Sequence, residues 1–348
     1  MRYTRVYVDA LGFELPFEVV PTSRLEGQLS SVYQRLHIAP GQVEALTGVA
    51  ERRFWPPGFR LSTGAAQAAR KALAAAGRTM ADVDALVYAS VCREHNEPAT
   101  ACSVAAQLEA GPQTLIYDIS NACLGVMNAL TDLAARIELG EIRAGLIVAC
   151  ETSREINEFT IARLQECRDR EDYYASLATF TGGSGAAAVL VTDGGFPGGG
   201  RHRLVGGVAR SAAQHHELCQ WGFRPIEEHG RYEPYAHTDA AAVLRHGVKL
   251  GTETWQAFLE TTGWTASTVD RCISHQVGRA HREHILASLG ISESRDFPTY
   301  QFLGNMGTVS LPLTAALAAE RGFLRQGDRV AWLGIGSGLN CLMLGLEW

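Results

Sequence analysis

The chain has no stretch approaching the roughly 18 uninterrupted apolar residues that cross a bilayer, so no membrane span is expected among its 348 residues. Its start, Met1-Arg2-Tyr3-Thr4-Arg5-Val6, lacks the apolar core of a secretory leader. Cysteines are present, at 92, 102, 123, 150, 167, 219, 272 and 341, but none forms a CxxC pair. That scatter fits reduced thiols in a cytoplasmic protein and argues against a disulfide framework. An excess of positive charge is also missing: the net charge is −6. Nucleic acid is therefore not an expected partner, while a local basic patch for a phosphate-bearing ligand stays open.

What is there reads as an ordinary globular protein, 46% apolar and 20% charged. Apolar runs at 85–89, 144–149, 187–191 and 330–334 are strand-like. Helical periodicity covers 63–76 and 100–108. This alternation predicts an α/β fold with parallel sheets covered by helices. The glycine-dense stretch Asp193 to His202 reads as a linker, dividing the chain into 1–195 and 196–348. Residues 210–243, rich in Glu and His, read as an irregular insertion.

Three strand-to-helix junctions each carry one chemically competent side chain. Cys123 follows the run Leu115–Ser120 and precedes a helical stretch from Leu124 to Leu139. A thiol at a helix entrance meets free amides and the positive dipole end, which favours thiolate, the nucleophile. His275 sits between Cys272-Ile273-Ser274 and a helix from about Arg279 to Leu289. Asn305 lies in the glycine-flanked loop 303–310, before a helix from Leu311 to Glu320. Junctions at the carboxyl ends of strands are where α/β folds usually build sites. Two other features are set aside. Gly334-Ile335-Gly336-Ser337-Gly338 has the wrong glycine spacing for a dinucleotide loop. His281 and His284, three apart, read as exposed helix histidines, since no further metal ligands accompany them.

The segments Asn121-Ala122-Cys123, Ser274-His275-Gln276 and Gly304-Asn305-Met306-Gly307 together resemble the thiolase superfamily, in its ketosynthase III branch. Supporting matches are residues 47–53, 180–186 and 334–338. Within that branch, Arg52-Arg53-Phe54-Trp55, Arg93-Glu94-His95-Asn96-Glu97-Pro98 and the ending Gly336–Cys341 are most similar to the OleA-like enzymes that condense two fatty acyl-CoA molecules. The resemblance implies two similar α/β halves in a five-layer α-β-α-β-α sandwich. It implies an acyl-enzyme on Cys123, with the backbone N–H groups of Cys123 and Ser337 as the oxyanion hole, and His275 and Asn305 donating to an enolate. Glu97 would be the base for α-deprotonation, contributed by the other subunit of a dimer. Without the resemblance, Glu97 reads as a solvated acid at a helix start ahead of Pro98.

No metal or cofactor is implied; CoA thioesters are substrates. Two alternatives stand. One is a decarboxylating β-ketoacyl-acyl-carrier-protein synthase III, for which Glu97 is incidental and an acyl carrier protein is a partner. The other is a subunit of a heterodimer with a scaffold or partner-dependent role. The chain departs from its relatives in three places. Gly336-Ser337-Gly338 replaces the thiolase C-x-G, with Cys341 too far along to substitute. Ala50 stands where many ketosynthase III enzymes carry an arginine, and Gly182 where an aspartate is common.

Overall fold

The computed structural model describes residues 1–226 and 230–348. The first part of the chain forms β1 (Tyr7–Glu14), β2 (Glu18–Pro21), α1 (Thr22–Gln28), α2 (Ser30–Leu36), α3 (Gln42–Thr47), β3 (Glu51–Phe54), α4 (Leu61–Ala76), β4 (Ala85–Tyr88) and α5 (Thr100–Gln107). It continues through β5 (Leu115–Asp118), α6 (Gly125–Leu139), β6 (Ala144–Glu151), α7 (Arg154–Glu166), α8 (Arg170–Ser176) and β7 (Gly185–Thr192). The remainder forms β8 (His202–Ser211), β9 (Cys219–Pro225), β10 (Tyr232–Thr238), α9 (Ala240–Thr262), β11 (Arg271–Ser274), α10 (Arg279–Leu289), α11 (Tyr300–Leu303), α12 (Ser310–Glu320), β12 (Arg329–Gly336) and β13 (Asn340–Glu347).

Nine strands run in the order β11-β12-β13-β8-β1-β7-β6-β4-β5. An internal repeat, invisible as sequence identity, is plain in this order. From the centre outward, β1-β7-β6-β4 and β8-β13-β12-β11 have the same pattern: two antiparallel pairings, then a parallel one. The two runs join through β1 and β8, with Tyr7 opposite Arg203 and Val8 opposite His202. The expected parallel sheets are thus corrected to mixed ones. Among the described residues, the parallel strand pairings are β4–β5, β4–β6 and β11–β12, and the three-residue turn 337–339 forces β12 and β13 antiparallel.

Three apolar cores fix the layering. The central one packs α6 and α12 between the inner faces of both sheet halves, bringing Leu130 and Leu313 against Val87, Val189, Trp332 and Leu344. Residues Ser310 to Ala318 of α12 are all buried, as expected of a helix apolar on every side. A second core places α4 and α5 on the outer face of the first half; a third places α9 and α10 on that of the second. The result is the five-layer α-β-α-β-α sandwich of the thiolase fold. Alanines make the α4 layer thin: a Cβ at Gly12 on β1 would come 2.2 Å from the Ala68 carbonyl oxygen.

Residues 210–226 and 230–243 correct another expectation, the rest of that segment lying outside the described residues. They hold the end of β8, a 3₁₀ turn and the two-stranded hairpin β9–β10, and they lead into α9. Pro225, Pro234 and Gly222 obscure the strand signal there, and prolines are tolerated because both strands are edges.

Candidate active site

The turn that carries Cys123 is built tightly. After β5, Ala122 takes the left-handed conformation at φ 45°, which costs a residue with a Cβ about 1–2 kcal/mol and turns the chain into α6. Gly125, the first residue of that helix, is pressed onto β4: a Cβ there would come 2.5 Å from the Ala89 carbonyl oxygen. The Val126 N–H donates to Thr308 Oγ1 at 2.7 Å, tying the helix start to the loop that carries Asn305.

His275 follows β11 directly, its N–H bonded to the Leu333 carbonyl at 2.9 Å. Its neighbours are locked. Ser274 Oγ donates to Asp296 at 2.8 Å, and Gln276 Oε1 accepts from the Thr299 and Tyr300 amides at 2.9 and 3.1 Å. Asn305 is held by main chain on both sides, donating to Thr181 O at 2.8 Å and accepting from Gly183 N at 2.9 Å. Its Oδ1 accepts the Gly307 N–H at 3.0 Å, which leaves the carboxamide NH₂ to act as donor. The glycine at 182 is accommodated by packing, since a Cβ there would come 2.9 Å from Ser153 Cβ.

Cys123, His275 and Asn305 line one cavity of about 980 Å³, together with Ser337, Glu151 and Cys219. Its wall is largely apolar, including Ile156, Leu177, Trp221, Phe223, Leu244 and Met306. The hairpin β9–β10 therefore forms part of the cavity wall. The Gly336–Ser337 turn closes over Cys123: a Cβ at Gly336 would come 3.4 Å from the Cys123 nitrogen.

Electrostatics reverse one expectation. The Cys123 thiol is pushed up to about 12, first by burial and then by the nearby Cys219 and Glu151. Desolvation outweighs the helix end, which favours the thiol form of Cys123. Burial, with His281 close by, lowers His275 to about 3, keeping the imidazole neutral and able to donate one hydrogen bond.

Glu97 does not join the other three within its own subunit. It is exposed and absent from the cavity wall. Nor does it serve a helix start, because α5 begins at Thr100 and its first amides are received by the Asp118 carboxylate at 3.0 and 2.9 Å. His284 is exposed, as expected. His281 is not: it lines the cavity, its Nδ1 buried without a protein partner, and burial lowers its pKa to about 4. A three-residue spacing on a helix could not show which face meets the site. Glu151 and Asn340 were also not singled out, although an acid closing the otherwise apolar strand Ala144–Cys150 was a usable signal.

Residues 259–348 match the family model described as 3-oxoacyl-[acyl-carrier-protein] synthase III C terminal. An acyl-CoA:acyl-CoA alkyltransferase from Shewanella oneidensis is 50% identical, with 100% of both chains covered. The chain belongs to the acyl-CoA:acyl-CoA alkyltransferase family. A second member, from Xanthomonas campestris, is 34% identical over 94% of each chain. The structure of Xanthomonas campestris OleA with bound lauric acid and lauroyl-CoA superposes with a TM-score of 0.92 at 31% identity, covering 99% of this chain and 100% of that one. Like that family, the chain is a thiolase-fold acyltransferase.

Proposed function

We propose that the protein condenses two long-chain fatty acyl-CoA molecules by a Claisen reaction without decarboxylation. The observation that carries this is the convergence of Cys123, His275 and Asn305 on a single apolar cavity of about 980 Å³. That volume lies at the upper end of ordinary ligand pockets, roughly 300–1,000 Å³. The lauroyl-CoA found in the Xanthomonas enzyme supports the substrate class.

Cys123 sulfur attacks the thioester carbonyl of the first acyl-CoA, and CoA leaves carrying the thiol proton. The amides of Cys123 and Ser337 receive the oxyanion. The second acyl-CoA loses an α-proton, and its enolate oxygen accepts hydrogen bonds from His275 and Asn305. The enolate carbon then attacks the acyl-enzyme and releases Cys123. A 2-alkyl-3-ketoacyl thioester results, which hydrolyses to the β-keto acid, the type of intermediate used for olefins or β-lactones. Both carbon groups arrive activated as thioesters, so the chemistry asks for no cofactor. With Ala50 in place of an arginine, Arg279 is the basic side chain on the cavity wall, among the described residues, that could meet CoA phosphate.

α-Deprotonation needs a base, and we assign it to Glu97 of a second subunit. Glu97 is exposed outside its own cavity, and β5 ends the sheet with an open edge and an exposed Leu115. Such an edge favours pairing with another chain. We read the partner as a second copy; a homologous chain in a heterodimer would use the same surface. The eight free cysteines support a reducing, cytoplasmic setting. The division into 1–195 and 196–348 rests on the repeated strand order.

The ketosynthase III match over 259–348 favours one second reading, a decarboxylating enzyme using malonyl-acyl carrier protein. Glu97→Gln separates the two. It abolishes condensation under the first reading and leaves malonyl-dependent turnover intact under the second.

A further inference from the structure

Glu151 is a buried acid in the catalytic cavity that the condensation scheme leaves unused. It closes β6, is 4% exposed, and lines the wall with Cys123 and Asn305. Its Oε1 accepts the Val91 N–H at 2.9 Å and its Oε2 accepts the Cys92 N–H at 3.1 Å. These two residues start the segment that runs on to Glu97. On the other side the carboxylate packs against the Asn305 loop: a Cβ at Gly307 would lie 3.4 Å from Oε1, and Gly307 is the residue whose N–H fixes the Asn305 side chain. One carboxyl group thus touches the base-bearing segment and the enolate-donor loop beside the nucleophile.

Its surroundings make this placement costly. The titratable groups facing it are Tyr88 on β4, Cys92 after β4, Cys150 on β6 and Cys123 before α6. None is basic, and no lysine or arginine pairs with it among the described residues. Burial raises its carboxyl to about 7 against the pull of the amides. An apolar residue would avoid that desolvation cost, so a carboxylate here calls for a role.

We propose that Glu151 is a positioning residue for the condensation step, holding the Val91–Cys92 turn and the Asn305 loop in register with Cys123. The proposal rests on the condensation reading for its substrate, but its geometry serves either route to the enolate. Glu151→Gln loses one of the two amide acceptors and the negative charge; Glu151→Asp keeps the charge and shortens the reach.

The test compares both variants with wild type in three assays: acylation of Cys123 by a long-chain acyl-CoA, followed by intact-protein mass; condensation turnover; and the pH profile of Cys123 alkylation by iodoacetamide, read on the Cys123 peptide. Thermal melts check folding. In Glu151→Gln, condensation should fall roughly 10- to 100-fold, the effect of losing one hydrogen bond to a charged group. Acylation should fall far less, and the alkylation profile should move to lower pH. Glu151→Asp should lose condensation without moving the alkylation profile. A Glu151→Gln variant that condenses at the wild-type rate overturns the proposal. So does an equal loss of acylation and condensation with an unmoved alkylation profile. If wild type condenses only when malonyl-acyl carrier protein is supplied, the function reading fails, and the same three comparisons are made on that turnover.

Discussion

Asn340 bridges the two halves of the site: its Nδ2 donates to Asn121 Oδ1 at 3.3 Å and to the Ser337 carbonyl at 3.2 Å. Asn121 in turn donates to Asn128 Oδ1 at 2.9 Å, so the Cys123 turn, helix α6 and the Gly-Ser-Gly turn are joined by one polar chain. Replacing Asn340 with Ala frees the Ser337 turn, and with it the proposed second oxyanion donor. Losing one such donor costs about 10²- to 10³-fold, and a loosened one less. Acylation of Cys123 in N340A is expected to slow by at least about tenfold. Stopped-flow CoA release measures it, and an unchanged rate would show that Asn340 does not hold the Ser337 donor in place.

Gly125 meets the Ala89 carbonyl too closely for any side chain. Gly125→Ala forces α6 away from β4, and overpacking of this kind costs about 1–3 kcal/mol. Because Cys123 lies two residues upstream, acylation should fall along with the melting temperature. A variant with wild-type melting and acylation would show that the helix start can shift freely.

If Glu97 serves the partner's site, two dead variants should complement each other. In a mixed dimer of Cys123→Ser and Glu97→Gln subunits, one site holds an intact cysteine and an intact glutamate. Random reassociation of such two-fold dimers makes half of them mixed, each with one working site, so about a quarter of wild-type activity should return. No recovery, with mixed dimers shown to be present, would place Glu97 in its own subunit's site.

Acid should destabilise the fold. Burial lowers His275 to about 3 and both His202 and His281 to about 4. The unfolded chain binds protons on these residues near pH 6.5. Their contribution is therefore complete above that pH and is lost as pH falls toward 3–4, each costing up to about 1.4 kcal/mol per pH unit. Glu151, raised to about 7, acts in the opposite direction: its contribution holds at low pH and is lost as pH rises from its ordinary value through 7. Three imidazoles outweigh one carboxyl, so denaturant midpoints should fall steadily from pH 7 to pH 5. A flat profile would mean that the histidines are not held neutral.

Much of the fold and the candidate site was legible in the sequence because it sits on local signals. The turn at Asn121-Ala122-Cys123, the His275 junction and the Asn305 loop each follow a strand and precede a helix, and all three side chains line one cavity. The helix expected over 124–139 forms as Gly125–Leu139, and that over 311–320 as Ser310–Glu320. What stayed hidden depends on contacts distant in sequence. Burial, not helix position, decides the Cys123 protonation state. The inward face of His281 depends on how α10 packs. The strands at Cys219–Pro225 and Tyr232–Thr238 carry prolines and no steady alternation. Antiparallel pairing within each half leaves no mark that apolar runs alone can show.

The most direct test is to incubate the purified protein with one long-chain acyl-CoA and no malonyl donor, then identify products by mass spectrometry. The expected result is a β-keto acid, or the ketone left by its decarboxylation, formed by wild type and lost in Glu97→Gln. Acyl-enzyme on Cys123 without further product, with turnover only on adding malonyl-acyl carrier protein, would contradict condensation between two acyl-CoA molecules.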